Sequence, residues 1–435
     1  MDFFLFVLLN AVLFVRPSDI FPDLDGAPIY EGVILLCMAA SAPKLLRRLS
    51  PRRMYEQPVV AAVVGLVVAV ALSHLAWGRS AEAFQWGVQV LKIVIYFLLL
   101  VAVVDTPARL RQFVQWVGVL VLGMTGLALA QYHGAIDLPA LASIQQSEVD
   151  PETGEAFKLA RLCGAGIFND PNDLSVILVV GLVLGLYQLR QPGPGKLFWA
   201  GSLGLMGYAL TLTHSRGGFL ALAVAVLALV ASRLGSRRAL LVGVPVVVGL
   251  AVLIGGRQTN IDLGNTEDTA QQRIRLWKEG LVQLEQHPVV GIGAGQCEEE
   301  LGQVAHNSFV HAFVELGILG GVLYLGAFAV PLLVLYRLGS DRDRRALSPI
   351  LRDLRPFVLA CLAGTMAGML SLSRVYTLTP YLILGLATVL LGLVGPVAAR
   401  RLPRLSLRLV TGVLALSAMF LAAVYVFTRL VTTVN

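Results

Sequence analysis

The chain has 435 residues, 57% of them apolar and 14% charged, with a mean hydropathy of +0.76. That balance excludes a water-soluble protein. The formal net charge of +7 does not indicate nucleic acid either, because most of the Lys and Arg sit in short loops between apolar runs, where the positive-inside bias places them.

Apolar runs long enough to cross a hydrocarbon core of about 30 Å fall near 2–15, 28–43, 57–77, 86–104, 112–131, 172–189, 197–213, 217–233, 239–255, 308–336, 356–372, 378–397 and 409–428. Lipid offers the backbone no hydrogen bonds, so these runs must be helices; barrel strands would show a weaker alternating pattern. The expected fold is an all-α polytopic integral membrane protein of 12–13 transmembrane helices, read as a single transmembrane domain over 1–435. The first run is short for a crossing. No short apolar stretch ends in a cleavage site, so no removable signal peptide is expected.

The basic loops are Lys44 to Arg53, Arg109 with Arg111, Arg190 with Lys196, Arg233 to Arg238, Arg337 to Arg355 and Arg400 to Arg408. They are expected in the cytoplasm, with the N-terminus inside and the C-terminus outside. Two outer loops are long. Residues 132–171 are mixed and acidic, and residues 256–307 form the largest loop. Within the latter, Thr266 to Gln286 has helical period, with Ile274, Leu276, Trp277, Leu281 and Leu284 opposite Arg273, Lys278, Glu279 and Glu285. Such a helix suits a membrane surface. Pro288 ends it, and Gly291, Gly293 and Gly295 form a flexible turn. Four cysteines are too few for a disulfide framework. Cys163 and Cys297 both fall on the outer side, where an oxidising compartment would permit a bond; Cys37 and Cys361 read as buried packing residues.

Three outer stretches carry residues suited to chemistry. In the first, Arg161 precedes Gly164 to Asn172, which leads into a span. Pro171 and Asn172 suit a helix start, and helix starts attract phosphate. In the second, Thr213-His214-Ser215-Arg216-Gly217-Gly218 is a very short turn that holds a second arginine at the interface. A guanidinium fork matches phosphate oxygens. The plain alternative for both arginines is solvation or snorkelling to lipid headgroups. In the third, His306-Asn307 opens a long apolar run. An imidazole takes up a proton near neutrality and can activate an acceptor hydroxyl. Asn307 would orient the ring or cap the helix. Gly317 and Gly320 would let another helix pack closely.

His311 lies well off the His306 direction on the helix and reads as a supporting or acceptor contact. Glu315 is costly in lipid and is expected to pair with a partner inside the bundle. Arg273 and Arg374 are further outer cations. The outer loops have no Asp-x-Asp pair and no His/Cys cluster, so no metal site and no cofactor is expected. Two cations and one imidazole at one membrane face suggest chemistry on a phosphorylated lipid.

Together these stretches resemble the O-antigen ligase superfamily, which includes O-antigen ligases, Wzy-type polymerases and pilin-type oligosaccharyltransferases. The matching elements are Arg161 with Gly166 to Asn172, Ser215-Arg216-Gly217, Arg273-x-x-x-Trp277, His287-Pro288-x-x-Gly291-x-Gly293, and His306-Asn307 followed by Gly317-x-x-Gly320. The resemblance implies a GT-C-like helical fold and metal-independent glycosyl transfer at the periplasmic face of the inner membrane; direct displacement at the anomeric carbon is expected to invert it. It implies undecaprenyl-diphosphate-linked glycan as donor and, for a ligase, a lipid A–core acceptor. It makes Arg161 and Arg216 diphosphate ligands and His306 the acceptor-activating base. Ligase is the preferred subtype, with polymerase and protein oligosaccharyltransferase left open. A transporter of lipid-linked glycans would place its ionisable residues near mid-membrane, whereas here they cluster at one face.

Overall fold

A computed structural model describes residues 1–24, 26–149, 156–235, 269–340, 344–395 and 402–433, with 241, 243 and 245. In chain order the helices are α1 (Asp2–Val15), α2 (Pro17–Ile20), α3 (Ile29–Arg48), α4 (Pro51–Glu56), α5 (Pro58–Leu75), α6 (Ser80–Val103), α7 (Pro107–Tyr132), α8 (Pro171–Leu189), α9 (Lys196–Leu212) and α10 (Arg216–Leu234). There follow α11 (Thr269–Gln286), α12 (Cys297–Leu301), α13 (Ser308–Arg337), α14 (Pro349–Met369), α15 (Leu378–Gly392) and α16 (Leu407–Thr433). Among the described residues, nine helical stretches are long and apolar enough to cross a membrane, and α15 is a shorter apolar helix. The protein is therefore an all-α polytopic membrane protein. The expected span 239–255 lies largely outside the described residues.

One element was not expected. Between α7 and α8, β1 (Ile144–Val149) pairs antiparallel with β2 (Ala156–Arg161), with Ile144 opposite Arg161. The chain comprises two compact units: Met1–Ala42, Val103–Ile254 and Asp353–Thr365 form the first, and Pro43–Ala102, Gly255–Arg352 and Met366–Asn435 the second.

In the first unit, α7 and α8 start where the sequence supplies a capping oxygen followed by proline. Thr106 accepts from the Arg109 N–H at the start of α7, and Asp170 accepts from the Asn172 and Asp173 N–H groups at the start of α8. Asp170, not Asn172, is thus the cap. Helix α8 packs against α7, α9 and α10 and is buried over most of its length. It carries small residues at close approaches, as apolar helices do when packing rather than water expulsion holds them together. A side chain at Gly218 of α10 would overlap Ser175 of α8.

In the second unit, α13 packs along α5, and it is not continuous. Gly317 has φ 63° and ψ −165° inside the helix, a conformation essentially reserved for glycine. The break frees backbone groups on both sides, and residues 288–293 fill it. Ile318 and Leu319 N–H donate to the Pro288 and Val289 carbonyls at 2.8 and 3.2 Å, while Ile292 and Gly293 N–H donate to the Val314 and Glu315 carbonyls at 3.1 and 3.0 Å. Side chains at Gly291 or Gly317 would overlap the opposing backbone. Gly317 therefore serves as the seat of a loop, rather than as the helix-packing surface expected from Gly317-x-x-Gly320. The three glycines after Pro288 are likewise a shaped insert. Trp77 Nε1–H donates to the Gly291 carbonyl at 3.1 Å, and Ser73 Oγ accepts from the Ala294 N–H at 3.2 Å.

The amphipathic pattern of α11 is realised from Thr269 onward, but its apolar face meets protein. Leu276 and Leu284 are buried, and Trp277 and Leu281 pack beside Cys297, Val310, Val314 and Val424. The face expected to lie on a membrane surface is taken up by α13 and α16.

Candidate functional site

The site residues fall in both units, and each group is built separately. In the first unit, Arg161 ends β2. Its Nε–H donates to the Thr213 carbonyl at 2.9 Å, and its two terminal nitrogens donate to Gln146 Oε1 and Asn172 Oδ1, each at 3.0 Å. Thr213 closes α9, so the guanidinium sits at the carbonyl end of that helix, where a cation is favoured. Asn172 Oδ1 also accepts from Ser215 Oγ at 2.9 Å, and Ser215 Oγ accepts from the Gly218 N–H at 3.1 Å as the cap of α10. Ser175 Oγ donates to Ser215 Oγ at 3.1 Å. Hydrogen bonds thus tie β2, the start of α8 and the start of α10 into one network, bringing Arg161, Asn172 and the Ser215-Arg216 turn together.

Arg216 opens α10 and is exposed. A cation in the first turn of a helix works against the helix dipole by roughly 0.3–1 kcal/mol. An anion at the same place would be attracted by both the helix end and the guanidinium. His214, two residues before, has φ 47°. Gln146 and Ser175 complete the Arg161 network and had no signal in the sequence, because strand pairing and helix packing bring them there.

In the second unit, His306 precedes the cap of α13 and has φ 49°, an uncommon backbone for a residue with a Cβ. Its flanks are tied down. Trp277 Nε1–H donates to the Ala305 carbonyl at 2.6 Å. Asn307, buried, accepts through Oδ1 from the Phe309 and Val310 N–H groups at 3.0 and 3.2 Å. Of its two expected roles, Asn307 thus performs the cap. Ser308 Oγ donates to the Leu372 carbonyl and accepts from the Arg374 N–H at 2.9 Å. The 371–377 turn that carries Arg374 is therefore held at the start of α13, close in sequence to His306. Arg273 is half-buried one helical turn before Trp277 on α11.

His311 lies in the first turn of α13. It is buried, with Nε2 2.8 Å from Glu315 Oε1, so Glu315 has the interior partner that its cost in lipid demands. The Glu315 oxygens also accept from the Gly295 N–H at 2.9 Å and the Cys297 N–H at 3.0 Å. Cys297, His311 and Glu315 bring their donor atoms within 4.8 Å of one another. The linear sequence hides this cluster because the loop containing Cys297 reaches α13 only through the break at Gly317. Cys163 and Cys297 are both free and buried, and burial pushes both thiols above their usual range. The bond allowed by their common side is not formed.

Chemically, the first group is a fixed guanidinium beside an exposed one at a helix start, an arrangement suited to a phosphorylated ligand. The second is an imidazole on a constrained backbone, suited to proton transfer. No curated protein shows significant similarity to the chain. Residues 201–325 match the family described as O-antigen ligase, a stretch containing Ser215-Arg216, Trp277, the insert after Pro288, His306 and the Gly317 break.

Proposed function

We propose that the protein is an O-antigen ligase: a multi-pass glycosyltransferase of the bacterial inner membrane that moves a glycan from undecaprenyl diphosphate to a lipid A–core saccharide at the periplasmic face. The observation that carries this reading is the O-antigen ligase match over 201–325, which includes both the Arg216 turn and His306. In the proposed reaction His306 takes the proton from the acceptor hydroxyl as that oxygen attacks the anomeric carbon. The bond to the diphosphate breaks on the opposite side, inverting the centre, and Arg161 and Arg216 stabilise the departing charge. Asn172, Asn307, His311, Arg273 and Arg374 hold these groups in place or meet the acceptor. The hydrogen bonds around Arg161 support its part, since a ligand for a leaving group works best when already fixed.

The deciding experiment incubates purified protein with undecaprenyl-diphosphate glycan and, separately, lipid A–core, a second lipid-linked glycan or a pilin peptide. Mass gained by lipid A–core supports the ligase. Gain only by the second glycan makes the protein a polymerase, and gain only by the peptide an oligosaccharyltransferase. No gain in any arm, with carrier moved across vesicles instead, makes it a transporter.

A further inference from the structure

Cys297 opens α12, and His311 and Glu315 lie four residues apart on one face of α13. All three are buried, His311 being 5% exposed and the other two 0%. Their donor atoms lie within 4.8 Å of one another. A zinc-class ion with bonds of about 2.0–2.3 Å holds its donors roughly 3.3–3.6 Å apart, so small side-chain adjustments would close the site.

Two further observations point to a ligand. The first concerns His311: Nε2 is taken up by Glu315 Oε1 at 2.8 Å, while Nδ1, also buried, has no hydrogen-bond partner. A buried polar group in that condition calls for a partner. The second is the Tyr376 hydroxyl, which is buried beside Glu315 and Cys297. It stands ready as a fourth ligand or as the support of a bound water. The backbone N–H groups of Gly295 and Cys297 already hold the Glu315 carboxylate, as outer partners commonly fix a metal-binding carboxylate.

We infer that Cys297, His311 and Glu315 form a binding site for one zinc-class divalent cation, which staples the 291–297 segment to α13. Thiolate, imidazole and carboxylate together select this class over magnesium or calcium, which prefer all-oxygen sites. The site is closed to solvent, so its role is structural, and the inference does not depend on the glycosyl-transfer reading. Cys297 enters as the thiolate, and its proton passes to solvent as the metal–sulfur bond forms.

The test uses full-length protein in detergent, stripped with a chelator and titrated with cobalt(II). The expected result is one equivalent bound, with a thiolate-to-cobalt charge-transfer band and tetrahedral d–d bands, all erased by zinc(II). Cys163→Ser should keep the bands, whereas Cys297→Ser and His311→Gln should lose them. Zinc(II) should also raise the melting temperature of the wild-type protein. A wild-type protein that gives no thiolate band overturns the inference without any variant having to fold, and so does an unchanged band in Cys297→Ser.

Discussion

The Arg161 region and the Gly317 region are both shaped by chain segments far apart in sequence, but by different means. Around Arg161 the bonds run through side chains: Gln146, Asn172, Ser215 and Ser175 each contribute a polar tip. Around Gly317 they run through backbone, with the loop after Pro288 filling a gap that only glycine geometry opens. Side-chain networks can be trimmed one group at a time, because each neutral hydrogen bond contributes about 0.5–1.5 kcal/mol net. A backbone insert cannot be trimmed, because a Cβ added at Gly291 or Gly317 meets main chain. The first region should therefore tolerate substitution with graded losses of function, and the second should fail as a unit.

The largest effect expected tests the functional side of that contrast. His306→Ala should lower transfer by a factor of about 10² to 10⁴ while leaving the melting temperature and elution profile unchanged. Its flanks are fixed by Trp277, Asn307 and Ser308. Near-normal transfer would remove the histidine from the mechanism.

Gly317→Ala comes next. Forcing a residue with a Cβ into that conformation costs about 1–3 kcal/mol, and the overlap with the Val289 carbonyl adds to it. Thermal unfolding in detergent should show a marked drop or loss of folded protein. A melting temperature within error of the wild type would mean that the insert is not the rigid unit described.

Asn172→Ala removes one acceptor from Arg161 and one from Ser215. Transfer at low donor concentration should fall by about tenfold, as expected for loss of a charge-assisted hydrogen bond, with little change in stability. An unchanged donor dependence would argue that the network does not position Arg161 for a ligand. The smallest effect is expected for Trp277→Phe, which keeps the ring but deletes the bond to the Ala305 carbonyl, costing about 1 kcal/mol. A melting temperature lowered by only a few degrees would agree; collapse of the fold would show that α11 depends on that single bond.

The sequence made the spans legible because hydrophobic runs of fixed length have few alternatives in lipid. Helix starts such as Asn307-Ser308 were visible from capping chemistry. The hairpin was not, since Ile144-Gln-Gln-Ser-Glu-Val lacks the apolar alternation that marks a half-buried strand. The α13 break was hidden because a glycine inside an apolar run usually signals close helix packing, and only the insert reveals the other use. For the site, the residue types at 161, 216 and 306 suggested charge and proton chemistry. Their supporting partners Gln146 and Ser175 could not be read, because they arrive by strand register and helix packing. Tyr376 was equally hidden, being carried on the turn tied to Ser308.

The insert also has a consequence for assembly. Residues 288–293 precede α13 in the chain, so the ribosome finishes the plug before it makes the gap. Without it, two amides and two carbonyls would enter lipid unsatisfied, each at a cost of several kcal/mol. Synthesis order thus supplies the cover in advance, and the span can leave the insertion machinery with its interruption already sealed.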